Sequence, residues 1–224
     1  VQSGRRREAF HAHHRTVHEL TWTANGERLV SVSADGTAKV WQPNRADDDS
    51  FEYDEPNATL PHPSYVYCVR AQPKPGTGKK GGGTGTNLPG GGGAAPTGPT
   101  AGSGGPSLLI TGANDNALRL WDISNDGANL LATKNVHKAR INAVAWPSES
   151  AIFSADGAGV VKHWEVEGRL GGGSGADLKL ISSIEKKELR DVPINSVTLH
   201  PNRRRLLLQT RNHQLLALDT RLQH

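Results

Sequence analysis

The chain has 224 residues, with 26 Lys and Arg against 22 Asp and Glu for a net charge of +4, and it is 35% hydrophobic but only 5% aromatic. That length suits one ordinary domain, and so mild a basic balance makes no strong case for a nucleic-acid partner. A single cysteine, Cys68, excludes a disulfide framework and favours a reducing, intracellular compartment; no run of apolar residues is long enough to span a membrane, and no signal peptide opens the sequence. The sequence begins at Val1 and contains no methionine, as expected of a fragment of a longer protein.

Along the chain, Arg5, Arg6 and Arg7 form a basic run, and Phe10 is expected to end an outer strand. Val17–Trp22 reads as a strand, Asn25-Gly26 as a turn, and Arg28–Ser33 as the next strand. Asp35-Gly36 then turns the chain into Thr37–Trp41, because Gly accepts the positive φ of a tight hairpin. Residues 43–50 form an acidic loop, and an outer strand is expected within Phe51–Leu60. The same unit restarts at His62, with Tyr65–Val69 as its first strand, and breaks off at Ala71. Residues 76–105 hold 14 Gly among 30 positions, with Leu88 as the sole large aliphatic. Such a segment buries too little apolar surface to offset ordering, so an insert of disordered chain is expected at 72–106. The unit resumes at Ser107 and runs through Thr111 to Trp121-Asp122. A third copy starts at His137 and reaches Trp164, and Gly171–Gly175 leads to an outer strand near Leu178–Ile184. A fourth, with strands at Ile194–Leu199, Leu206–Thr210 and Leu215–Leu218, has lost the polar positions: Arg190, Leu208, Asn212 and Leu218 replace them.

Those polar positions recur at fixed spacing. His13, Ser31, Asp35 and Trp41 form the first set, and His62, Thr111, Asp115 and Trp121 the second. A His that donates to a turn Asp, and a hydroxyl that links the His to the Trp indole, would satisfy four buried polar groups together. The third set keeps His137, Ser154 and Trp164, but Ala158 stands at the Asp position and Asp156-Gly157 lies two places earlier. The complete set is therefore expected in the first two repeats only, with His62 reaching Asp115. These units resemble WD repeats, which implies an all-β fold: a WD-repeat β-propeller, here a partial ring of about four blades with a disordered Gly-rich insert. The expected division is 1–16, the end of a preceding blade and a turn; 17–60, a blade; 61–135, a blade carrying the insert at 72–106; 136–184, a blade; and 185–224, a partial blade.

Some stretches are more specific. Leu60-Pro61-His62-Pro63-Ser64-Tyr65-Val66-Tyr67, Val136-His137-Lys138 with Ile141-Asn142, and the shifted turn Ser154–Val161 resemble repeats of the jouberin family. So do Val192-Pro193-Ile194, Leu199-His200-Pro201-Asn202 and Leu218-Asp219-Thr220-Arg221 in the degenerate fourth repeat. The resemblance covers residues 60–70 and 107–221. It implies a non-enzymatic protein–protein scaffold of the ciliary transition zone and basal body, cytoplasmic or cytoskeletal, that supports cilium assembly. Its partners would be other proteins, transition-zone components among them, with no cofactor and no small-molecule substrate. The alternative is a WD-repeat adaptor in an RNA- or ribonucleoprotein-associated complex, which the net basic charge permits.

Competing chemistry is less favoured. The His–hydroxyl–Asp pattern imitates a catalytic triad, but an enzyme needs one such site in a pocket, not one per blade. His11, His13, His14 and His18 could suggest a metal, yet His13 already belongs to a polar set and no cysteine joins them. Arg5–Arg7 and Arg203–Arg205 lack interleaved aromatics and read as solvated runs, and Cys68 reads as a small core residue. With the four strands of a blade lettered a to d in chain order, Arg15, Tyr65, Asn114 and Arg140 adjoin the anchor positions without belonging to them, and are the expected partner-binding residues on the d–a and b–c turns; Arg and Tyr are frequent interface hot spots.

Overall fold

A computed structural model describes residues 9–42, 44–45, 51–52, 55–73, 107–124, 127–168, 175–185, 187–200 and 205–219. The expected Arg5–Arg7 run and the Gly-rich insert lie outside these residues. So do Arg203, Arg204 and nearly all of the acidic loop.

The chain folds into successive antiparallel sheets, each a contiguous stretch of sequence. The first pairs β1 (Val17–Trp22), β2 (Leu29–Ser33) and β3 (Thr37–Trp41) in order. Between β3 and the outer strand, β4 (Asn44–Arg45) and β5 (Phe51–Glu52) pair only with each other. The outer strand is β6 (Ala58–Pro61), which pairs with β3. The outer strand expected within Phe51–Leu60 thus occupies the end of that window and runs one residue past it. Pro56 has no N–H to give to a ladder, and pairing with β3 is entered only at Asn57, whose N–H reaches the Val40 carbonyl at 2.8 Å.

The second sheet holds β7 (Val66–Ala71), β8 (Leu108–Ala113), β9 (Ala117–Asp122) and β10 (Asn129–Asn135). The third holds β11 (Ile141–Ala145), β12 (Ala151–Asp156), β13 (Val161–Glu167) and β14 (Asp177–Ile184). A short 3-10 turn, Lys187–Leu189, leads to the three-stranded fourth sheet of β15 (Ile194–Leu199), β16 (Arg205–Thr210) and β17 (Leu215–Asp219). No α-helix occurs among the described residues.

The sheets stack as blades. Their first strands lie side by side, β1 against β7, β7 against β11, and β11 against β15. A separate apolar core fills each space between blades. Val30, Val40, Leu60, Val69 and Leu109 join the first to the second, and Ile110, Leu120, Val144, Ile152 and Trp164 join the second to the third. Phe153, Val161, Ile194, Leu206 and Leu208 join the third to the fourth. Each fully buried aliphatic contributes about 1.5–3 kcal/mol. Burial follows position in the stack: every residue of β8 is buried because its blade has a neighbour on both sides, whereas β16 alternates exposed and buried. Phe10 is not in a strand; it meets Trp41 edge-on at 5.1 Å on the open side of the first blade.

Two local features recur in all four blades and define one end of the stack. Each inner strand is bulged after its first paired residue, between Val17 and Glu19, Val66 and Cys68, Ile141 and Ala143, and Ile194 and Ser196. His18, Tyr67, Asn142 and Asn195 are the extra residues, re-aimed by the bulge. Each b–c turn is also tied to the residue before its inner strand. The N–H groups of Ala34, Asn114, Gly157 and Arg211 donate to the carbonyls of Thr16, Tyr65, Arg140 and Pro193 at 2.8–3.0 Å.

Candidate functional site

Beneath that end lie the polar sets. In the first blade the Trp41 indole N–H donates to Ser31 Oγ at 2.8 Å, and Ser31 Oγ lies 2.7 Å from His13 Nε2. His13 Nδ1 lies 2.9 Å from Asp35 Oδ2. With Nδ1 protonated and donating to the carboxylate, Nε2 accepts the Ser31 hydroxyl proton, so a neutral imidazole satisfies every member. Asp35 also accepts from the Thr37 hydroxyl and from the backbone N–H groups of His14 and Thr37.

The second blade departs from the expected pattern. The Trp121 N–H to Thr111 Oγ1 bond (3.0 Å) and the Thr111 to His62 Nε2 bond (2.8 Å) form, but His62 does not reach Asp115. His62 Nδ1 donates instead to the Leu60 carbonyl at 3.0 Å, and Asp115 is held by both terminal nitrogens of Arg119. Two side chains explain the correction. Thr37, which holds Asp35 beside His13, is replaced by Ala117. Lys39, which reaches back to the Ala12 carbonyl at 2.7 Å, is replaced by Arg119, whose fork matches a carboxylate.

The third blade is complete, contrary to the expectation drawn from Ala158. Trp164 donates to Ser154 Oγ at 2.8 Å, Ser154 meets His137 Nε2 at 2.7 Å, and His137 Nδ1 meets Asp156 Oδ2 at 2.9 Å. Asp156 stands two residues after Ser154 on β12, so both project from the same side of the strand and both meet His137. Its other oxygen accepts from the N–H groups of Ala158 and Val160, which pins the turn. In the fourth blade Leu208 and Leu218 are core residues, and Thr210 holds the turn through Asn212 and the Gln214 carbonyl.

The electrostatics follow. Burial, outweighing the Asp35 carboxylate, keeps the His13 pKa below its ordinary value. Burial and the Arg119 charge lower His62 to about 4. Burial opposes ionisation of Asp35, but hydrogen bonds from Thr37, His13 and the His14 N–H prevail and hold it at about 2. Asp115 and Asp156 are likewise lowered against burial, by Arg119 and by His137 with Val160 respectively. The three hydroxyls, Ser31, Thr111 and Ser154, are all buried under the turns.

Above these sets the turns carry exposed side chains. Arg15 and Tyr65, from neighbouring blades, meet directly: Arg15 donates to the Tyr65 hydroxyl at 3.2 Å and its guanidinium lies 5.8 Å from the ring centroid. Asn114 donates to Ser64 at 3.3 Å within the second blade. Arg140 lies 5.2 Å from the centroid of Tyr67 and donates from Nε to Asn142 at 3.0 Å. Arg15 and Arg140 therefore reach toward tyrosines of the same blade from the blades on either side. The bulge residues complete the belt: His18 packs on Tyr67 at 4.8 Å, and Asn142 donates to the Ile194 carbonyl of the fourth blade at 2.9 Å. His18, Tyr67 and Asn142 were not among the expected site residues; their shared place, one residue into each inner strand, is the sequence signal that marks them.

The remaining features behave otherwise. A cleft of about 540 Å³ between the third blade's b–c turn and the 3-10 turn mixes Lys138, Lys187 and Arg190 with Glu185 and Asp191. His11 and His14 are exposed, and no group of three or more His, Cys, Asp or Glu side chains is arranged to hold a metal among the described residues. Burial pushes the Cys68 thiol far up, so the thiolate is disfavoured. No helix among the described residues is long and apolar enough to cross a membrane.

Comparison with known proteins agrees with this architecture. The family model described as WD domain, G-beta repeat, matches residues 4–42. Jouberin of Rattus norvegicus is 27% identical over 99% of this chain, and jouberin of Mus musculus is 27% identical over the same share. The chain spans 18% of the length of either relative. A ribosome biogenesis protein WDR12 homolog of Chlamydomonas reinhardtii is 39% identical over 27% of this chain, covering 15% of its own length. A chain in a crystal structure of the mitotic checkpoint complex superposes over 93% of this chain and 50% of its own length, with a TM-score of 0.64 at 18% identity. The chain has a β-propeller fold, matches a WD repeat over residues 4–42, and is similar in sequence to jouberin along nearly its whole length.

Proposed function

We propose that this chain is a non-catalytic protein–protein interaction scaffold of jouberin type. Its interaction surface is the turn-bearing end of the blades, where Arg15, Tyr65, Asn114 and Arg140 are exposed. The observation that carries this reading is the division of labour at that end. The His, hydroxyl and Trp groups spend their hydrogen bonds inward, on one another and on the turns, with every hydroxyl buried. That arrangement offers a substrate no nucleophile, but it fixes the backbone that presents the exposed residues. The resemblance to jouberin supports a role for this scaffold at the ciliary transition zone and basal body, in cilium assembly.

The test is Ala replacement of Arg15, Tyr65 and Arg140 together in the full-length protein, with melting temperature as the folding control. The expected outcome is an unchanged fold, loss of co-purifying protein partners and loss of enrichment at the ciliary base. Retention of both partners and location would refute the proposal. A second reading, an adaptor of ribonucleoprotein assembly, has the WDR12 homolog match in its favour, but that match covers only 27% of this chain. A salt titration of RNA binding separates the two, since phosphate contacts give a steep salt slope.

A further inference from the structure

We infer that the belt formed by Arg15, Tyr65, Tyr67 and Arg140 takes an acidic, extended peptide segment of a partner protein. This inference rests on the interaction-face reading above and specifies its partner's chemistry. Both guanidiniums are exposed, and neither has a carboxylate partner among the described residues. Arg15 spends one N–H on the Tyr65 hydroxyl, and Arg140 spends Nε–H on Asn142, so most of each donor fork is left for a ligand. Their positions are nevertheless set, because each lies against a tyrosine ring and needs little further ordering to bind. The carboxylates of the first three blades' turns and of β1 do not compete. Asp35 and Asp156 are turned inward to histidines and backbone N–H groups, Asp115 is held by Arg119, and Glu19 by Arg70. Surplus cationic donors above neutralised acids select a carboxylate-bearing partner.

The same geometry disfavours RNA. Single-stranded nucleic acid would be read by stacking bases on open aromatic faces. Here Arg15 lies against Tyr65, and Arg140 and His18 both lie against Tyr67. Tyr65 and Tyr67 stand two residues apart on one extended segment, roughly 7 Å. That short strip suits a few residues of extended peptide rather than a phosphate backbone track.

The experiment measures fluorescence anisotropy of three labelled probes on the full chain: a ten-residue oligo-glutamate, the same length of oligo-glutamine, and oligo(U) RNA. Binding of oligo-glutamate alone is expected, weakening several-fold between 50 and 300 mM salt as surface charge is screened. R15Q/R140Q should weaken it about 10-fold or more, through loss of two charge-assisted contacts. Tyr65→Phe, which removes only the anchor of Arg15, should weaken it about 2–3-fold and serves if the double variant does not fold. Equal binding of oligo-glutamine, tighter binding of oligo(U), or indifference to these substitutions would overturn the inference. If oligo-glutamate does not bind while the Arg15, Tyr65 and Arg140 triple variant still loses its protein partners, acidic specificity falls and the interaction face stands.

Discussion

Replacing Asp156 by Ala should be among the more damaging single changes in this chain, and far worse than the same change at Asp115. The Asp156 and His137 side chains are both fully buried, and Asp156 accepts from His137 Nδ1 at 2.9 Å, Ala158 N–H at 3.0 Å and Val160 N–H at 2.9 Å. Truncation leaves at least two buried donors, the imidazole N–H and the Val160 N–H, without an acceptor. At ~1–3 kcal/mol for each unsatisfied group, the expected loss is about 3–5 kcal/mol. Asp115 is 20% exposed and its partner Arg119 is 10% exposed, so water can reach what the substitution frees. The expected loss there is about 1–2 kcal/mol. Asp156→Asn keeps an acceptor and should fall between. The assay is equilibrium urea unfolding followed by tryptophan fluorescence, comparing midpoints across the three variants. If Asp115→Ala costs as much as Asp156→Ala, the assignment of a complete polar set to the third blade and not to the second is wrong.

Gly159 has φ +84° and a Cβ there would stand 1.7 Å from the Leu189 carbonyl oxygen, whereas Gly26, at φ +75°, has open space around it. Gly159→Ala should therefore lower stability by more than ~3 kcal/mol and Gly26→Ala by only ~1 kcal/mol, as thermal melts would show. His62, lowered to about 4 by burial and by Arg119, stays neutral in the fold while an unfolded chain takes up a proton near pH 6.5. Its contribution is complete above pH 6.5 and is lost as pH falls toward 4, by an amount on the order of 2–3 kcal/mol; melting temperatures from pH 7.5 to 4 should fall accordingly, and less steeply in His62→Gln. Deleting residues 76–105 with a short Gly-Ser closure should change the urea midpoint little. Gln72 N–H already reaches the Leu108 carbonyl at 2.9 Å, and loop length enters stability only logarithmically. Loss of cooperative unfolding in the deletion variant would contradict this.

The fold was legible because its signals are periodic. Hairpin turns at Asp35-Gly36 and Asp115-Asn116 and the ten-residue interval from hydroxyl to Trp repeat in three copies, and alternation survives even where the polar groups are gone. The polar sets were legible only as offsets. Counting positions paired His62 with Asp115, but that pairing is decided by neighbours: Thr37 and Lys39 leave Asp35 to its histidine, and Ala117 and Arg119 do not. Counting also dismissed Asp156 for standing two places early, although a two-residue step on a strand returns to the same face and so to the same histidine. The bulge that re-aims Tyr67 arises from pairing register between strands 44 residues apart at Cys68 and Gly112, which no local window contains. The late start of the first blade's outer strand is marked by Pro56.

The turn-bearing end, and not the opposite one, should meet the protein partner. A photo-crosslinking amino acid placed singly at positions 16 and 138, exposed on the same turns beside the binding residues, samples that end, and the same residue at positions 25 and 149 samples the a–b turns at the other. In cells expressing the full-length protein, followed by denaturing purification and mass spectrometry, positions 16 and 138 should capture the same protein through an acidic segment, and positions 25 and 149 should not. Capture of that protein from positions 25 and 149 alone would contradict the account.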